Sequence, residues 1–115
     1  TLLIIMMTEI TSNTATATMI LPVVAALAIA LGIHPFALMV PCAMAANCAF
    51  MLPVGTPPNA IIFGTGKIKI IDMVRAGFSV NIFATIIIIL AVYYLLPIVF
   101  GFDLTVVPES FLNKA

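Results

Sequence analysis

The longest uncharged stretch of the chain is residues 10–66, ITSNTATATMILPVVAALAIALGIHPFALMVPCAMAANCAFMLPVGTPPNAIIFGTG. As one straight helix it would be about 86 Å long, against about 30 Å for the hydrocarbon core of a bilayer. The whole 115-residue chain is 64% hydrophobic and 7% charged, whereas soluble domains carry about 25% charged residues. The composition therefore predicts a membrane protein in which this stretch is broken and folded back.

The composition also excludes several classes of protein. The net charge is zero, whereas nucleic-acid binding needs a surface of phosphate-neutralising cations, so we expect no nucleic-acid partner. Cys42 and Cys48 lie in apolar sequence without partners at ligand spacing, which predicts neither a disulfide framework nor a zinc site. The chain opens at Thr1 in apolar sequence without the basic segment of a signal peptide, and we expect it to be part of a longer chain.

Helix breakers divide the first half of the chain into short apolar pieces, residues 1–10, 15–31 and 36–52. Polar residues 11–14 separate the first two pieces, and a turn with Gly32 and Pro35 separates the second from the third. The second and third pieces have 17 residues each, the lower limit for a helix that crosses a membrane. This pattern predicts a re-entrant hairpin over residues 1–33 and a discontinuous transmembrane helix over residues 34–66.

The second half of the chain is simpler. Apolar residues recur at helical spacing among the charged residues of 67–76, which predicts a short amphipathic helix in the membrane interface. Residues 77–100 carry no charge and place Tyr93 and Tyr94 toward their end, which predicts a last transmembrane helix with interfacial tyrosines. We expect residues 101–115 to form a polar tail.

Three basic residues, Lys67, Lys69 and Arg75, determine the predicted orientation. By the positive-inside rule the connection that carries them is cytoplasmic. The turn at Gly32 and the tail then face the outside, and the hairpin enters the membrane from that face. Together these features predict an all-α, polytopic protein of the plasma (inner) membrane.

Two polar breaks lie at membrane depth in this arrangement. Irregular backbone is tolerated there only where protein covers it or where it lines a cavity. At the first break Ser12, Asn13 and Thr14 favour a helix N-terminus, whose N–H groups attract anions. Carbonyl oxygens at the end of the preceding helix, together with the Asn13 side chain, suit a hard cation such as sodium. In the second break, residues 53–59, Gly55 permits a close approach of backbone.

Each break also has a purely structural interpretation. Small hydroxyl residues are common between packed membrane helices, and the pair Pro57 and Pro58 is compatible with a simple kink. Two breaks in neighbouring short helices favour a solute site near the midplane. For Glu9, a position on a cavity wall and a role as the partner of another helix are equally compatible with the sequence. His34 is better explained as a residue of an outer loop than as part of a proton relay. The seven methionines are most simply explained as packing residues of the core.

No enzyme motif is present in the sequence. The patterns H-E-x-x-H, G-x-S-x-G and a Walker-type glycine loop are all missing. Ser12 has no base near it in the sequence, and the predicted topology places His34 at the opposite end of the same helix. We therefore expect no catalytic residues and no enzymatic cofactor.

Two blocks of sequence resemble the divalent anion/sodium symporter family. The first is Ser12-Asn13-Thr14 followed by an Ala- and Thr-rich helix, and the second is MLPVGTPPNAIIF at residues 51–63. The family contains bacterial dicarboxylate carriers and mammalian sodium-coupled carriers of citrate, dicarboxylates and sulfate. The resemblance extends over nearly the whole chain, from Thr1 to about Phe100.

The resemblance implies a fold of two inverted repeats, each with a Ser-Asn-Thr hairpin and a broken helix. This chain is similar to the end of the C-terminal repeat. Its implied partners are the N-terminal repeat of the same transporter, the lipid bilayer and a second copy in a homodimer. Because the half-site of the first repeat is missing, we expect that this chain alone does not transport.

The resemblance also implies roles for individual residues. The residues implied to face the carboxylates of the substrate are Ser12, Asn13, Thr14, Thr56 and Pro57. Those implied to hold one sodium ion, largely through backbone carbonyls, are Thr8, Thr11, Asn13 and Gly55. Some relatives have Ala in place of Gly55 or Thr11, and since these contacts use backbone we expect the sodium site to survive the difference.

The function implied is sodium-coupled symport of a small divalent anion by an elevator-type movement. A C4-dicarboxylate such as succinate is the expected substrate, with citrate and sulfate as alternatives within the family. A membrane-embedded structural or assembly subunit that does not transport is the rival class. Sodium-dependent thermal stabilisation by a dicarboxylate distinguishes the two.

Overall fold

The computed structural model describes residues 1–101 and 103–113, and every regular element in that part of the chain is a helix. The helices are α1 (Leu2–Thr8), α2 (Asn13–Ala30), α3 (Pro35–Ala45), α4 (Pro57–Gly64), α5 (Ile70–Phe100) and α6 (Glu109–Leu112). The all-α prediction is confirmed. Of the tail predicted over residues 101–115, Phe102, Lys114 and Ala115 lie outside the described residues.

Two of these helices are long and apolar enough to cross a membrane. Helix α2 has 18 residues with a mean hydropathy of 1.7, and α5 has 31 residues that include an 18-residue stretch with a mean hydropathy of 2.7. Large apolar side chains remain exposed along the molecule, including Ile10 at 80% and Ile98 at 79%. Extensive exposed apolar surface is unusual for a soluble monomer but suits contact with lipid or with other membrane helices.

Helices α1, α2 and α3 pack together around small and β-branched side chains. The buried residues of this cluster are Ile4, Ile5, Cys42, Ala45 and Ala46. Alanine and cysteine allow helix backbones to approach closely, which is the usual means of packing helices within a membrane. Both cysteines are free thiols. The packing places the end of α1 against the end of α3.

A glycine-terminated turn reverses the chain after α2. Gly32 adopts a φ of +72° and donates its N–H to the Ile29 carbonyl at 3.1 Å, while the Ile33 N–H donates to the Ala28 carbonyl at 3.0 Å. This pair of bonds is a Schellman motif, which satisfies the last carbonyls of a helix and favours glycine in the left-handed conformation. It ends α2 where the sequence predicted the turn.

His34 caps the helix that follows this turn. Its Nδ1 accepts a hydrogen bond from the backbone N–H of Phe36 at 3.2 Å. The backbone N–H of His34 donates to the Leu104 carbonyl in the tail at 3.1 Å. The imidazole also contacts the Phe111 ring, with 5.8 Å between centroids. The side chain is buried. His34 is thus a buried capping residue that holds the tail, rather than an ordinary loop residue.

The interruption after α3 is longer than the sequence indicated. We expected an apolar helical piece over residues 36–52, but α3 ends at Ala45. The next helix is α4, which begins at Pro57. We call residues 46–56 the unwound segment. The cause lies in tertiary contacts. The N–H groups of Phe50, Met51 and Leu52 all donate to the side chain of Glu9, the residue directly after α1, and are unavailable for a helix.

Helix α5 runs without a break through two elements that the sequence suggested were separate. We expected an interfacial helix over residues 67–76 and a transmembrane helix over residues 77–100, whereas Ile70–Phe100 is continuous. No proline occurs between Ile70 and Leu96, so no proline stops the helix in this range. Its 31 residues are about 46 Å long, which exceeds the hydrocarbon core by enough to leave its charged start at headgroup level.

One face of α5 is buried along its whole length. The buried residues recur at intervals of four and seven, as one helix face requires, and are Met73, Gly77, Asn81, Ile88, Val92 and Leu96. A π-helical turn at Ala91–Leu95 interrupts the regular pattern, with the Leu96 N–H donating to the Ala91 carbonyl. Pro97 lacks an N–H for the preceding turn, which explains a local change of helix type at this point.

Candidate functional site

The tip of the helical hairpin is the turn between α1 and α2. Helix α1 ends at Thr8 and α2 begins at Asn13, with Ser12 as its N-cap in extended conformation. The Ser12 carbonyl accepts the first helical bond from the Thr16 N–H at 2.8 Å, but the Ser12 side chain makes no capping bond. The N–H groups of the first turn of α2 are therefore not capped by a side chain.

Three oxygen atoms gather beside this tip. Thr8 Oγ1 lies 2.7 Å from Asn13 Oδ1 and 2.8 Å from the carbonyl oxygen of Ala46. The Thr8 side chain is fully buried, and Asn13 is partly buried. The cluster joins the end of α1, the start of α2 and the first residue of the unwound segment.

Thr11 is oriented differently from Thr8. It is exposed, and its hydroxyl donates to the Met7 carbonyl at 2.8 Å and contacts the Thr16 hydroxyl. Its side chain is thus engaged within the hairpin. A contact to an ion would have to come from its backbone carbonyl, as the family resemblance implies.

The end of the unwound segment leads directly into α4. Thr56 is the N-cap of α4 in extended conformation and makes no side-chain capping bond, and Pro57 occupies the first helical position. The Thr56 carbonyl accepts the Ala60 N–H at 3.1 Å, which starts the helix. Proline has no N–H to satisfy at this position, and its fixed φ suits the first turn.

The carboxylate of Glu9 binds the unwound segment to the hairpin. Oε1 accepts the Phe50 N–H at 2.8 Å and the Met51 N–H at 3.0 Å, and Oε2 accepts the Met51 N–H at 3.0 Å and the Leu52 N–H at 3.1 Å. A fifth contact comes from Asn81 Nδ2, 2.7 Å from Oε1. Glu9 is only 3% exposed. Neutral amide groups therefore provide all the hydrogen bonds that this carboxylate accepts in the described part of the chain.

The structure brings some of the predicted site residues together and leaves others at the periphery. Thr8 and Asn13 are in contact, and a Cβ added to Gly55 would lie 3.3 Å from Glu9 Oε2, so that Gly55 is next to the residue that follows Thr8. Of the other predicted residues, Ser12, Thr14 and Pro57 are exposed at the periphery, and Thr56 is half-buried. No side-chain hydrogen bond joins these four to one another within residues 1–101 and 103–113.

The available donor atoms restrict the kind of ion that suits this site. Within the described residues no three side chains of His, Cys, Asp or Glu gather as a metal-binding group. The cluster instead offers hydroxyl, amide and carbonyl oxygens. Unwound backbone carbonyls and the ends of short helices are the usual ligands of sodium in secondary transporters, and helix N-termini bind their anionic substrates.

Comparison with known proteins agrees with this chemistry. The sequence model described as "Sodium:sulfate symporter transmembrane region" matches residues 1–101. The chain belongs to the divalent anion/sodium symporter family. It is 68% identical over 97 residues to the sodium-dependent dicarboxylate transporter SdcS of Staphylococcus aureus strain MRSA252, and equally so to that of strain USA300.

Membership of the divalent anion/sodium symporter family makes this chain a transporter-family membrane protein and not an enzyme. The aligned region covers 84% of this chain but only 19% of the Staphylococcus aureus transporters. The chain thus spans about a fifth of the length of the curated relatives it matches.

Several groups at the site were not predicted from the sequence of this family member. The Ala46 carbonyl and the amides of residues 50–52 carry no sequence signal, because they act through backbone. Asn81 had a weak signal as the one amide side chain in the uncharged stretch of residues 77–100. Asn59 is the last residue of the second polar break, and its Nδ2 donates to the carbonyls of Ala49 at 2.9 Å and Leu52 at 3.0 Å, which shapes the unwound segment.

Proposed function

We propose that this chain forms the C-terminal half of the transport site of a sodium-coupled carrier for C4-dicarboxylates such as succinate. We call the protein that contains both half-sites the complete carrier. The observation that carries the proposal is the cluster of Thr8, Asn13 and Ala46 oxygens, which joins two interrupted helices beside a buried carboxylate. The name of the Staphylococcus aureus relatives, sodium-dependent dicarboxylate transporter, agrees with it.

Sodium binds at the junction of hairpin and unwound segment in this proposal. Its ligands are Thr8, Asn13 and the backbone carbonyls of Thr11 and Gly55, with the Ala46 carbonyl adjacent. The Thr8 hydroxyl has one proton for two acceptor oxygens, at 2.7 and 2.8 Å. If a cation bridges Thr8 Oγ1 and Asn13 Oδ1, the Thr8 hydroxyl can donate its proton to the Ala46 carbonyl. The cation then occupies the place between the two oxygens that would otherwise face each other without a proton.

The substrate anion binds on the exposed side of the same junction. The residues proposed to face its carboxylates are Ser12, Asn13, Thr14, Thr56 and Pro57. The hydroxyls of Ser12 and Thr56 make no hydrogen bond within the described residues and cap no helix. The N-terminus of α2 supplies N–H groups and a positive dipole end. Helix α4 begins with Pro57 and Pro58, which have no N–H, so it contributes chiefly its positive dipole end. A buried Lys or Arg is therefore not needed.

Sodium and the anion assist each other because they bind adjacent groups. The bound cation offsets the buried negative charge of Glu9 and orders the start of α2, which improves the anion site. We propose that this half-site acts with a second one from an N-terminal repeat, and that both move together to alternate access. The complete carrier is proposed to be a multi-pass homodimer of the plasma membrane.

Uptake by the complete carrier in proteoliposomes tests the assignment. Asn13→Ala and Thr56→Ala should abolish sodium-dependent succinate uptake while the amount of folded protein is unchanged. Matched controls are Asn47→Ala and Thr65→Ala, because both side chains are exposed and bond only to nearby backbone. The Asn47 side chain bonds to the Ala43 carbonyl of α3, and the Thr65 hydroxyl bonds to Ile62 of α4 and to the Lys67 N–H. Both controls should transport normally.

The same assay has clear contrary outcomes. Normal uptake by Asn13→Ala or Thr56→Ala would remove that residue from the site. Uptake by the wild type that is equal in sodium and in choline would contradict sodium coupling. Competition of labelled succinate with unlabelled sulfate and citrate identifies the substrate class, and stronger inhibition by either anion than by succinate would replace the dicarboxylate in the proposal.

A further inference from the structure

Helix α5 contacts the unwound segment at Gly77 and the hairpin at Asn81, one helical turn further along. A Cβ added to Gly77 would meet the Phe50 carbonyl oxygen and would lie 2.5 Å from Met51 Cα, so the backbones are in direct contact there. Asn81 is four residues further along and therefore on the same face. It is fully buried and reaches past the unwound segment to Glu9 of the hairpin.

Asn81 completes the set of donors around the Glu9 carboxylate. Its Nδ2 lies 2.7 Å from Oε1, which is shorter than the four contacts from backbone N–H groups at 2.8 to 3.1 Å. The backbone donors come from one short segment, whereas Asn81 comes from a separate helix. The amide side chain thereby fixes the carboxylate from a second element.

Packing alone does not account for an asparagine at this position. Asn81 Oδ1 is buried and has no hydrogen-bond partner in the described part of the chain. An unsatisfied buried acceptor lowers the stability of a fold, and a leucine would fill a similar volume without that cost. The hydrogen bond to Glu9 is the one interaction of this side chain that an apolar residue cannot replace.

We infer that Asn81 is a positioning residue for the cation site, acting through Glu9 and touching neither the ion nor the substrate. The inference rests on the proposed function of Thr8 and Asn13 as sodium ligands. Glu9 directly follows Thr8 in the chain, so the orientation of its carboxylate determines where the Thr8 hydroxyl lies relative to Ala46. Residues that orient metal ligands in this way change ion affinity without binding the ion themselves.

The geometry also assigns a mechanical role to this contact. Glu9 joins the hairpin to the unwound segment, and Asn81 joins the same carboxylate to α5. The two interrupted helices and the last helix then move as one body when the carrier changes its access. Loss of the Asn81 amide leaves the Glu9 carboxylate without its contact to α5. The distance between the hairpin and the unwound segment, which together form the ion site, is then less tightly fixed.

The test is a sodium titration of succinate uptake by the complete carrier. Asn81→Leu removes the donor and the orphan acceptor together, and Asn81→Asp keeps the shape but places a second carboxylate against Glu9. We expect the half-saturating sodium concentration to rise about 10-fold or more in both variants, with the maximal rate largely restored at high sodium. The melting temperature of Asn81→Leu without sodium should equal or exceed that of the wild type.

Thr85→Val is the matched control on the same helix. Thr85 is partly buried and its hydroxyl bonds only to the Asn81 carbonyl of its own helix, so the sodium titration should be unchanged. A wild-type titration curve for Asn81→Leu, with Asn13→Ala inactive, would overturn the positioning role and leave the proposed function intact. Loss of folded protein in both Asn81 variants would assign Asn81 a structural role only and would also overturn the inference.

The two proposals fail in different ways. If the proposed function is wrong, the wild-type carrier itself shows no dependence on sodium, and this appears before any variant is compared. If only the positioning role is wrong, the wild type responds to sodium and the Asn81 variants respond at the same concentration.

Discussion

Thr8 takes part in two interactions at the proposed site. Its hydroxyl contacts Asn13 across the hairpin tip and Ala46 in the unwound segment. The first interaction brings together two oxygens that we propose as cation ligands, and the second ties the hairpin to the unwound segment. A substitution that removes the hydroxyl and leaves the volume unchanged therefore tests both interactions at once.

Thr8→Val should raise the half-saturating sodium concentration of uptake by at least about tenfold, because an ion ligand is lost. Thr8→Ser keeps the hydroxyl and should remain within about threefold of the wild type, a shift that corresponds to well under 1.4 kcal/mol. Sodium titrations of succinate uptake by the complete carrier measure both effects. Equal sodium dependence in Thr8→Val and the wild type would show that the Thr8 side chain is not a ligand.

At the scale of the elements, the structure depends on one close approach between α5 and the unwound segment. Gly77 is buried, and the space where a Cβ would stand is occupied by the backbone of Phe50 and Met51. Backbone atoms cannot rotate away as a side chain can. The requirement for glycine here is therefore steric and does not depend on φ.

Gly77→Ala should destabilise the complete carrier by about 1–3 kcal/mol, the usual cost of overpacking. Gly64→Ala is the control, because Gly64 lies in α4 with nothing within 4 Å of an added Cβ, and alanine favours a helix over glycine. Melting temperatures in detergent compare the two. A Gly77→Ala variant as stable as Gly64→Ala would mean that α5 does not contact the unwound segment so closely.

The elements that local sequence determines were predicted well, and those that tertiary contacts determine were not. The break at the hairpin tip and the turn at Gly32 follow from polar residues and glycine, and both occur where expected. The end of α3 at Ala45 was missed, because residues 46–52 are apolar and look helical. The N–H groups of Phe50, Met51 and Leu52 bond instead to Glu9, which lies about forty residues away in the sequence.

At the scale of the whole molecule, the uncharged stretch of residues 10–66 holds most of the proposed site for sodium and an anion without any Lys or Arg. Both interruptions lie within it, and the carboxylate that connects them comes from Glu9, immediately before it. The role of Glu9 was left open by the sequence because its donors are mostly backbone groups. The family resemblance implied which residues bind the ion and the anion, while only the structure shows the contacts that surround these residues.

The central claim is that the hairpin tip and the unwound segment form a coupled site for sodium and a dicarboxylate. The most direct measurement is the melting temperature of the purified complete carrier in sodium chloride and in choline chloride, each with and without succinate. A ligand that binds only the folded state raises its stability, so sodium should stabilise the wild type, and succinate should add to this only when sodium is present. Asn13→Ala should lose both effects. Stabilisation by succinate that is equal in choline, or no stabilisation by either ligand in a folded carrier, would contradict the account.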